Sequence, residues 1–235
     1  MDIFCRRELK YLVDAAQRTA LEKILSEKME PDAFPHSSIR NIYYDTPDFR
    51  LIRHSLAKPV YKEKLRLRCY GESQEVFLEL KKKYKGIVYK RRIALTQPQA
   101  EAFMERTGSI PDTQIGREMV YFRDFYQNLQ AQVYLSYERD SWKGVDDPGL
   151  RITFDHQIQF RRTGLHLNQA PGGQAIVPAE LSLLEVKAEN AIPLWLTREL
   201  TRLGIRKISF SKYGRAYEMA LLGKIYEDGG YHYVG

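Results

Sequence analysis

Cysteine is nearly absent from this sequence: among 235 residues only Cys5 and Cys69 occur. Two thiols cannot build the disulfide framework of a small secreted domain, so a reducing, cytoplasmic setting is the expectation. Both fall at apolar-phase positions of strand-like segments, which reads as inert core thiols. Long apolar runs are missing as well. Nothing approaches the roughly 18 residues a membrane-spanning helix needs, and the stretch from Met1 to Arg7 lacks the apolar segment of a secretory leader. Histidine is sparse, and His36, His54, His156, His166 and His232 show no metal-ligand spacing with Cys or with one another. There is no G-x-S-x-G and no G-x-x-x-x-G-K-[ST]. Internal repeats and low-complexity linkers are lacking. Any chemistry therefore falls to Lys, Arg, Asp and Glu.

What is present is an ordinary folded composition with a basic surplus. Hydrophobic residues make up 43% and charged residues 29%, which excludes a disordered chain. Against 30 Asp and Glu stand 37 Lys and Arg, a net charge of +7 that points to an anionic partner. Strand-like alternation is expected over 3–13, 38–45, 60–70, 75–83, 87–95, 132–143, 150–155, 157–162 and 180–188. Helices are expected over 15–29 behind Asp14, 48–56, 96–106, 116–127, 193–203 and from Ser209 or Ser211 to 223. Short turns such as Gly71-Glu72-Ser73 and Lys85-Gly86 imply antiparallel pairing. The fold class read from this pattern is α+β: an eight-stranded antiparallel β-barrel tunnel flanked by helices, spanning 1–224, with 225–235 as a frayed C-terminal tail.

The strand faces locate the charge. Residues two apart share a face, so Lys62, Lys64, Arg66 and Arg68 stand in a row opposite Leu65, Leu67 and Cys69. Adjacent members lie about 6.6 Å apart along the strand, a repulsion of about 2.5 kcal/mol per pair at an effective dielectric near 20. A solvated face normally mixes signs. Lys90 with Arg92, Glu79 with Lys81, Arg151 with Asp155, Glu8 with Lys10 and Glu185 with Lys187 repeat the bias on other strands. Such faces are costly unless a polyanion compensates them. The recurring Glu8, Glu79, Glu138 and Glu185 suit a divalent cation set beside phosphates; for Glu79 and Glu138 plain pairing with neighbouring cations is the expected role. Acidic residues otherwise fall on helices and outer faces, so the cations on the inner faces are far less balanced than the net charge implies.

The ordered set FCRRELKY, IYYDT, KLRLRCYG, FLELKKK, VYKRRIAL, LRITFD, LLEVK and FSKYGR resembles the VTC domain, the catalytic domain of polyphosphate polymerases within the triphosphate tunnel metalloenzymes, alongside the CYTH phosphatases. The resemblance runs from about Phe4 to about Leu222. It implies phosphate binding by Lys10, Arg66, Arg68, Lys81, Lys90, Arg92, Arg151 and Lys212, with Ser211 donating at the start of the last helix. It implies Mn²⁺ or Mg²⁺ on Glu185, with Glu8 as a second carboxylate. The superfamily's first strand reads E-x-E-x-K, whereas this chain has Arg6-x-Glu8-x-Lys10. The exchanged cation favours the polymerase branch over the hydrolases.

The resemblance thus implies a metal-dependent phosphotransferase that moves the γ-phosphoryl of ATP to inorganic polyphosphate. A tunnel hydrolase of inorganic or nucleoside triphosphate is the alternative, followed by a non-catalytic polyphosphate-binding module. A nucleic-acid-binding barrel ranks last, because few aromatics beyond Tyr70 share the basic faces. Eukaryotic members carry an SPX domain and membrane helices. Neither appears, so coupled translocation is not expected of this chain alone. A membrane or regulatory partner protein is left unassigned.

Overall fold

The computed structural model describes residues 7–85, 87–189, 191–227 and 230–233. Along the chain run β1 (Arg7–Val13), α1 (Ala15–Lys28), β2 (Met29–Asp45), α2 (Arg50–Leu56), β3 (Tyr61–Tyr70), β4 (Glu75–Tyr84) and β5 (Ile87–Thr96). Then come α3 (Gln97–Met104), α4 (Gln114–Phe125), β6 (Gln130–Gly144), β7 (Arg151–Arg161), β8 (Gln174–Ala175), β9 (Ser182–Ala188), α5 (Leu194–Arg202), β10 (Lys207–Ile208), α6 (Lys212–Leu222), β11 (Lys224–Glu227) and β12 (Gly230–Tyr233). Within the segment read as a tail, β11 and β12 pair in a hairpin.

The α+β class holds, but the closed eight-stranded barrel does not form. Ten antiparallel strands make one open sheet in the order β10-β1-β9-β7-β6-β2-β3-β4-β5, with β8 on β7. Alternation reports which residues share a face, not whether the first and last strands meet, and here β5 and β10 remain edges. The sheet is nevertheless strongly curled. β1 and β4 stand six places apart in this order, about 29 Å in a flat sheet. Yet Lys81 Nζ on β4 lies 3.5 Å from Glu8 Oε2 on β1. The concave face therefore forms a groove.

Local chemistry starts the helices where the sequence suggests. Asp14 accepts from Gln17 N at 2.8 Å and Gln17 answers to Asp14 N at 3.1 Å, a reciprocal cap for α1. Thr96 and Gln99 do the same for α3. Asp45 accepts from the amides of Thr46, Leu51 and Ile52 and from the Tyr213 hydroxyl, so one buried carboxylate ties α2 and α6 to β2. The segment 150–162, read as two strands, is one. Gln157 adopts φ 50° and inserts an extra residue opposite Ser136–Glu138. That insertion lets Asp155 and Ile158 face the same way despite their odd spacing.

Three apolar clusters hold the layers. Leu65, Leu67, Cys69, Leu78 and Leu80 on the convex face pack against Phe103 of α3 and Phe122 of α4. Ile152, Phe154, Leu184 and Val186 pack against Leu21 and Leu25 of α1 and Leu196 and Leu200 of α5. The third cluster fills part of the groove, where Tyr43, Leu135, Tyr137 and Leu183 meet Ile52 of α2 and Tyr213 of α6. Cys69 is buried, matching the core-thiol reading, while Cys5 lies outside the described residues. No helix of the described residues is long and apolar enough to cross a membrane.

Candidate functional site

The groove above the apolar plug is lined by charge, in two connected groups. The first is centred on Glu79, whose side chain is 1% exposed. Arg66 Nη2 lies 2.7 Å from Oε2 and Lys90 Nζ 2.6 Å from Oε1, with Arg92 at 3.3 Å and Arg68 at 3.9 Å. The register explains this: Glu79 sits directly between Arg66 on β3 and Arg92 on β5. Arg66, Arg68 and Lys90 drive its pKa far below the usual carboxylate range despite burial. Glu79 is thus the pairing residue expected, with a larger partner set. Arg68 also donates to Asn41 Oδ1 at 2.8 Å and to the Tyr137 hydroxyl at 3.0 Å.

The second group surrounds Glu185. Lys187 and Lys212 each lie 3.1 Å from it, Lys10 at 3.4 Å and Arg139 at 3.7 Å. Lys212 also bonds Asp155, and Arg139 holds Asp155 through Nε at 2.6 Å and Nη2 at 2.7 Å. Lys10 reaches Glu8 at 3.1 Å, and Lys81 on β4 reaches the same carboxylate. Glu8 thereby ties Lys81, two residues beyond Glu79 on β4, to Lys10 and the Glu185 group. The surrounding cations hold Glu8 down to about 2 against its burial, and hold Glu185 well below its ordinary value.

Between the groups stands Lys64. It donates to Ser211 Oγ at 2.8 Å and makes no ion pair among the described residues. Burial, reinforced by Lys81, Lys10, Lys62 and Arg66, pushes its pKa down to about 7. Lys90 falls to about 8 for the same leading reason, although Glu79 opposes the shift. Burial and Lys83, Lys81 and Lys58 also depress Lys62. A cavity of about 450 Å³ continues this lane outward between Lys58, Lys62, Lys83 and Lys85. Ser211 caps α6, accepting from Gly214 N at 3.0 Å, so its hydroxyl connects that helix start to the lysine.

The structure therefore gathers Glu8, Lys10, Arg66, Arg68, Lys81, Lys90, Arg92, Glu185, Ser211 and Lys212 on the groove. It does not gather Arg151, whose guanidinium lies 2.7 Å from Asp32 Oδ2 with the side chain 48% exposed. Arg6, the first position of the Arg6-x-Glu8-x-Lys10 departure, lies outside the described residues. Glu138 faces the convex side, 3.2 Å from His36 Nε2. The lining also holds more carboxylate than expected, since Glu79 and Asp155 join Glu8 and Glu185. Sequence reading passed over Arg139 and gave Lys64 no site role, although Lys64 belongs to the cation row on β3.

Aromatics are more numerous on this face than the sequence reading allowed. Arg66 lies over the Tyr43 ring, Lys212 over Tyr137 at 4.6 Å and Arg92 over Phe77 at 3.5 Å. Tyr43 and Tyr137 are buried beneath these cations and offer no open stacking surface.

A hard divalent cation suits the donor type here, because Glu8 and Glu185 supply oxygens. The Thr153 hydroxyl, buried opposite Glu185, has no hydrogen-bond partner. Charge sets the condition. Lys10, Lys81, Lys187, Lys212 and Arg139 outnumber Glu8, Asp155 and Glu185, so a bare cation is disfavoured and a cation accompanied by phosphate oxygens is not.

The VTC domain model matches residues 5–221. No protein of curated function matches the chain. Among solved structures, a proposed adenylate cyclase of Bacillus halodurans superposes with a TM-score of 0.54 at 18% identity, over 89% of this chain and 94% of that one. A Hippeastrum protein, proposed as an adenylyl cyclase and described as having a dominant triphosphatase activity, gives 0.52 at 16% identity, over 88% and 92%. These two likenesses concern the fold.

Proposed function

The chain belongs to the VTC domain family, and from that premise we propose that it is a metal-dependent phosphotransferase extending inorganic polyphosphate with the γ-phosphoryl of ATP. The observation that carries the reading is Lys64, a buried lysine set among cations with no carboxylate on it among the described residues. A linear polyphosphate is the ligand that satisfies such a lane, because each unit brings negative charge at a regular short spacing.

In this reading Arg66, Arg68, Lys90 and Arg92 grip phosphate oxygens, pre-positioned by Glu79 so that little reorganisation is needed on binding. Arginine offers a planar fork and lysine a point charge. Lys10, Lys81 and Lys212 offset charge that builds up around the transferred group. An oxygen of the acceptor's terminal phosphate attacks the γ-phosphorus. The bond from that phosphorus to the β–γ bridging oxygen breaks, and ADP leaves with the electron pair. No covalent protein nucleophile is needed. Glu8 and Glu185 would hold Mn²⁺ or Mg²⁺, which supplies further neutralisation of phosphate charge. Arg151 stands at the rim on Asp32 and joins the clamp only by leaving it.

The second reading is hydrolysis, with water in place of the acceptor. The fold likeness to the Hippeastrum protein, itself described as a triphosphatase, favours keeping it. Incubating the pure protein with ATP and Mn²⁺ and resolving the products on a polyphosphate-stained gel separates the readings. Long chains with ADP support the polymerase, and orthophosphate alone supports the hydrolase. Tight tripolyphosphate binding without turnover would reduce the protein to a binding module. Glu185→Gln is expected to lower metal-dependent turnover by at least about 100-fold, and full turnover in that variant would remove Glu185 from the metal site.

A further inference from the structure

On the convex face, away from the groove, three adjacent strands bring together two histidines and an aspartate that are far apart in sequence. His36 on β2 is directly opposite Asp140 on β6, and His156 on β7 is directly opposite Glu138, two residues along. Two irregularities frame the spot: the β2 register shift between Pro31 and His36, and the extra residue at Gln157. Irregularities of this kind re-aim side chains.

We propose that His36, Asp140 and His156 form a binding site for a borderline first-row divalent cation, with Zn²⁺ as the type. His36 Nδ1 lies 2.9 Å from Asp140 Oδ1, and His156 Nε2 lies 3.1 Å from Asp140 Oδ2. One ligand atom from each residue falls within 4.8 Å of the others. Ligands of a tetrahedral centre with bonds of about 2.0–2.1 Å lie roughly 3.3 Å apart, so the three need only small rotations to share an ion. Two imidazoles and one carboxylate select Zn²⁺ and its neighbours over Mg²⁺ or Ca²⁺, which take all-oxygen sets.

The surroundings resemble the second layer of a metal site. The other nitrogen of His36, Nε2, meets Glu138 Oε2 at 3.2 Å. A carboxylate there fixes the ring's tautomer with Nδ1 free to ligate. Arg18 donates to Asp140 Oδ2 at 2.5 Å and is itself held by Glu22 at 2.8 Å, which orients the aspartate. Glu22, Glu138 and Asp140 outnumber the one arginine, so the local charge favours a dication. His36 is 61% exposed and leaves an open approach and a free coordination position. Without a metal, one nitrogen of each ring lies within hydrogen-bond reach of Asp140, and the cation would take the place of those two contacts.

This site is independent of the phosphoryl chemistry. The test titrates the full chain, without phosphate, with Zn²⁺ against a chromophoric chelator, and with Co²⁺ by visible absorption. One Zn²⁺ per chain and a tetrahedral Co²⁺ band are expected. His36→Gln and His156→Gln should each weaken Zn²⁺ binding by more than about tenfold, while Glu185→Gln leaves it unchanged. His36 is exposed, so its variant keeps the test valid if His156→Gln fails to fold. Absence of saturable binding below about 1 mM overturns the proposal. So does binding that survives both histidine changes or is lost with Glu185→Gln, which would place the ion in the groove.

Discussion

Lys64 offers the sharpest quantitative test. Its ammonium is disfavoured by burial and by four neighbouring cations, and its pKa stands at about 7 rather than the ordinary 10.5. A bound polyanion removes the cause and returns the group toward its ordinary value. At pH 8 the free lysine is about one-tenth protonated and the bound one almost fully so, an uptake of about 0.9 proton. Affinity contributed by this residue should therefore be complete below pH 7 and fall by up to about tenfold per unit from there to pH 10.5. The assay is calorimetry of tripolyphosphate binding in buffers of different ionisation heat, comparing wild type with Lys64→Gln. Subtracting the variant cancels the protonation of the ligand itself. Equal proton uptake in the two proteins would refute the reasoning. Stability carries the same signature with its own sign. Between pH 7 and 10.5 the unfolded chain binds the proton that the folded chain refuses, so this residue's penalty grows as pH falls through that window and is constant below it. The nominal penalty near pH 7 is about 5 kcal/mol. With partial exposure discounted, Lys64→Gln should gain about 1–2 kcal/mol in urea unfolding at pH 7 and nothing above pH 11.

Two other substitutions test the frame around the groove. Glu79→Gln leaves Arg66, Arg68, Lys90 and Arg92 facing one another without their shared anion, and should cost about 3–5 kcal/mol in denaturant unfolding; added tripolyphosphate should restore much of it. Asp45→Asn keeps one oxygen and sets an NH2 in place of the other, so either the Leu51 amide or the Ile52 amide and the Tyr213 hydroxyl lose their acceptor; it should cost about 1–3 kcal/mol while leaving the groove's cations in place.

Alternation made much of the groove legible in the sequence. Lys10, Arg66, Arg68, Lys81, Lys90 and Arg92 fall on one face because the strand period is two and the turns between β3, β4 and β5 are short. Closure was not legible, since pairing between the first and last strands leaves no local mark. Asp155 and Arg139 were missed as partners because their meeting depends on strands β6 and β7 lying side by side. The bulge at Gln157 also shifts the phase of β7, which made one strand look like two. The His36, Asp140 and His156 cluster was invisible for a related reason: its members belong to three strands, and sequence spacing says nothing about which strands are adjacent. Arg151 shows the converse limit, being in phase with Asp155 yet drawn away to Asp32.

The open order of the sheet bears on how a polymer reaches the groove. A sealed cylinder can be loaded only by threading, one end first, so a long chain must supply a free terminus. Here the edges β5 and β10 share no ladder among the described residues, and what spans the groove between β1 and β4 is an ionic contact between Lys81 and Glu8. Parting such a seam breaks no interstrand amide bond, and salt weakens the contact. Under the proposed function, the middle of a long phosphate strand can then be laid in from the side, like a rope into a cleat.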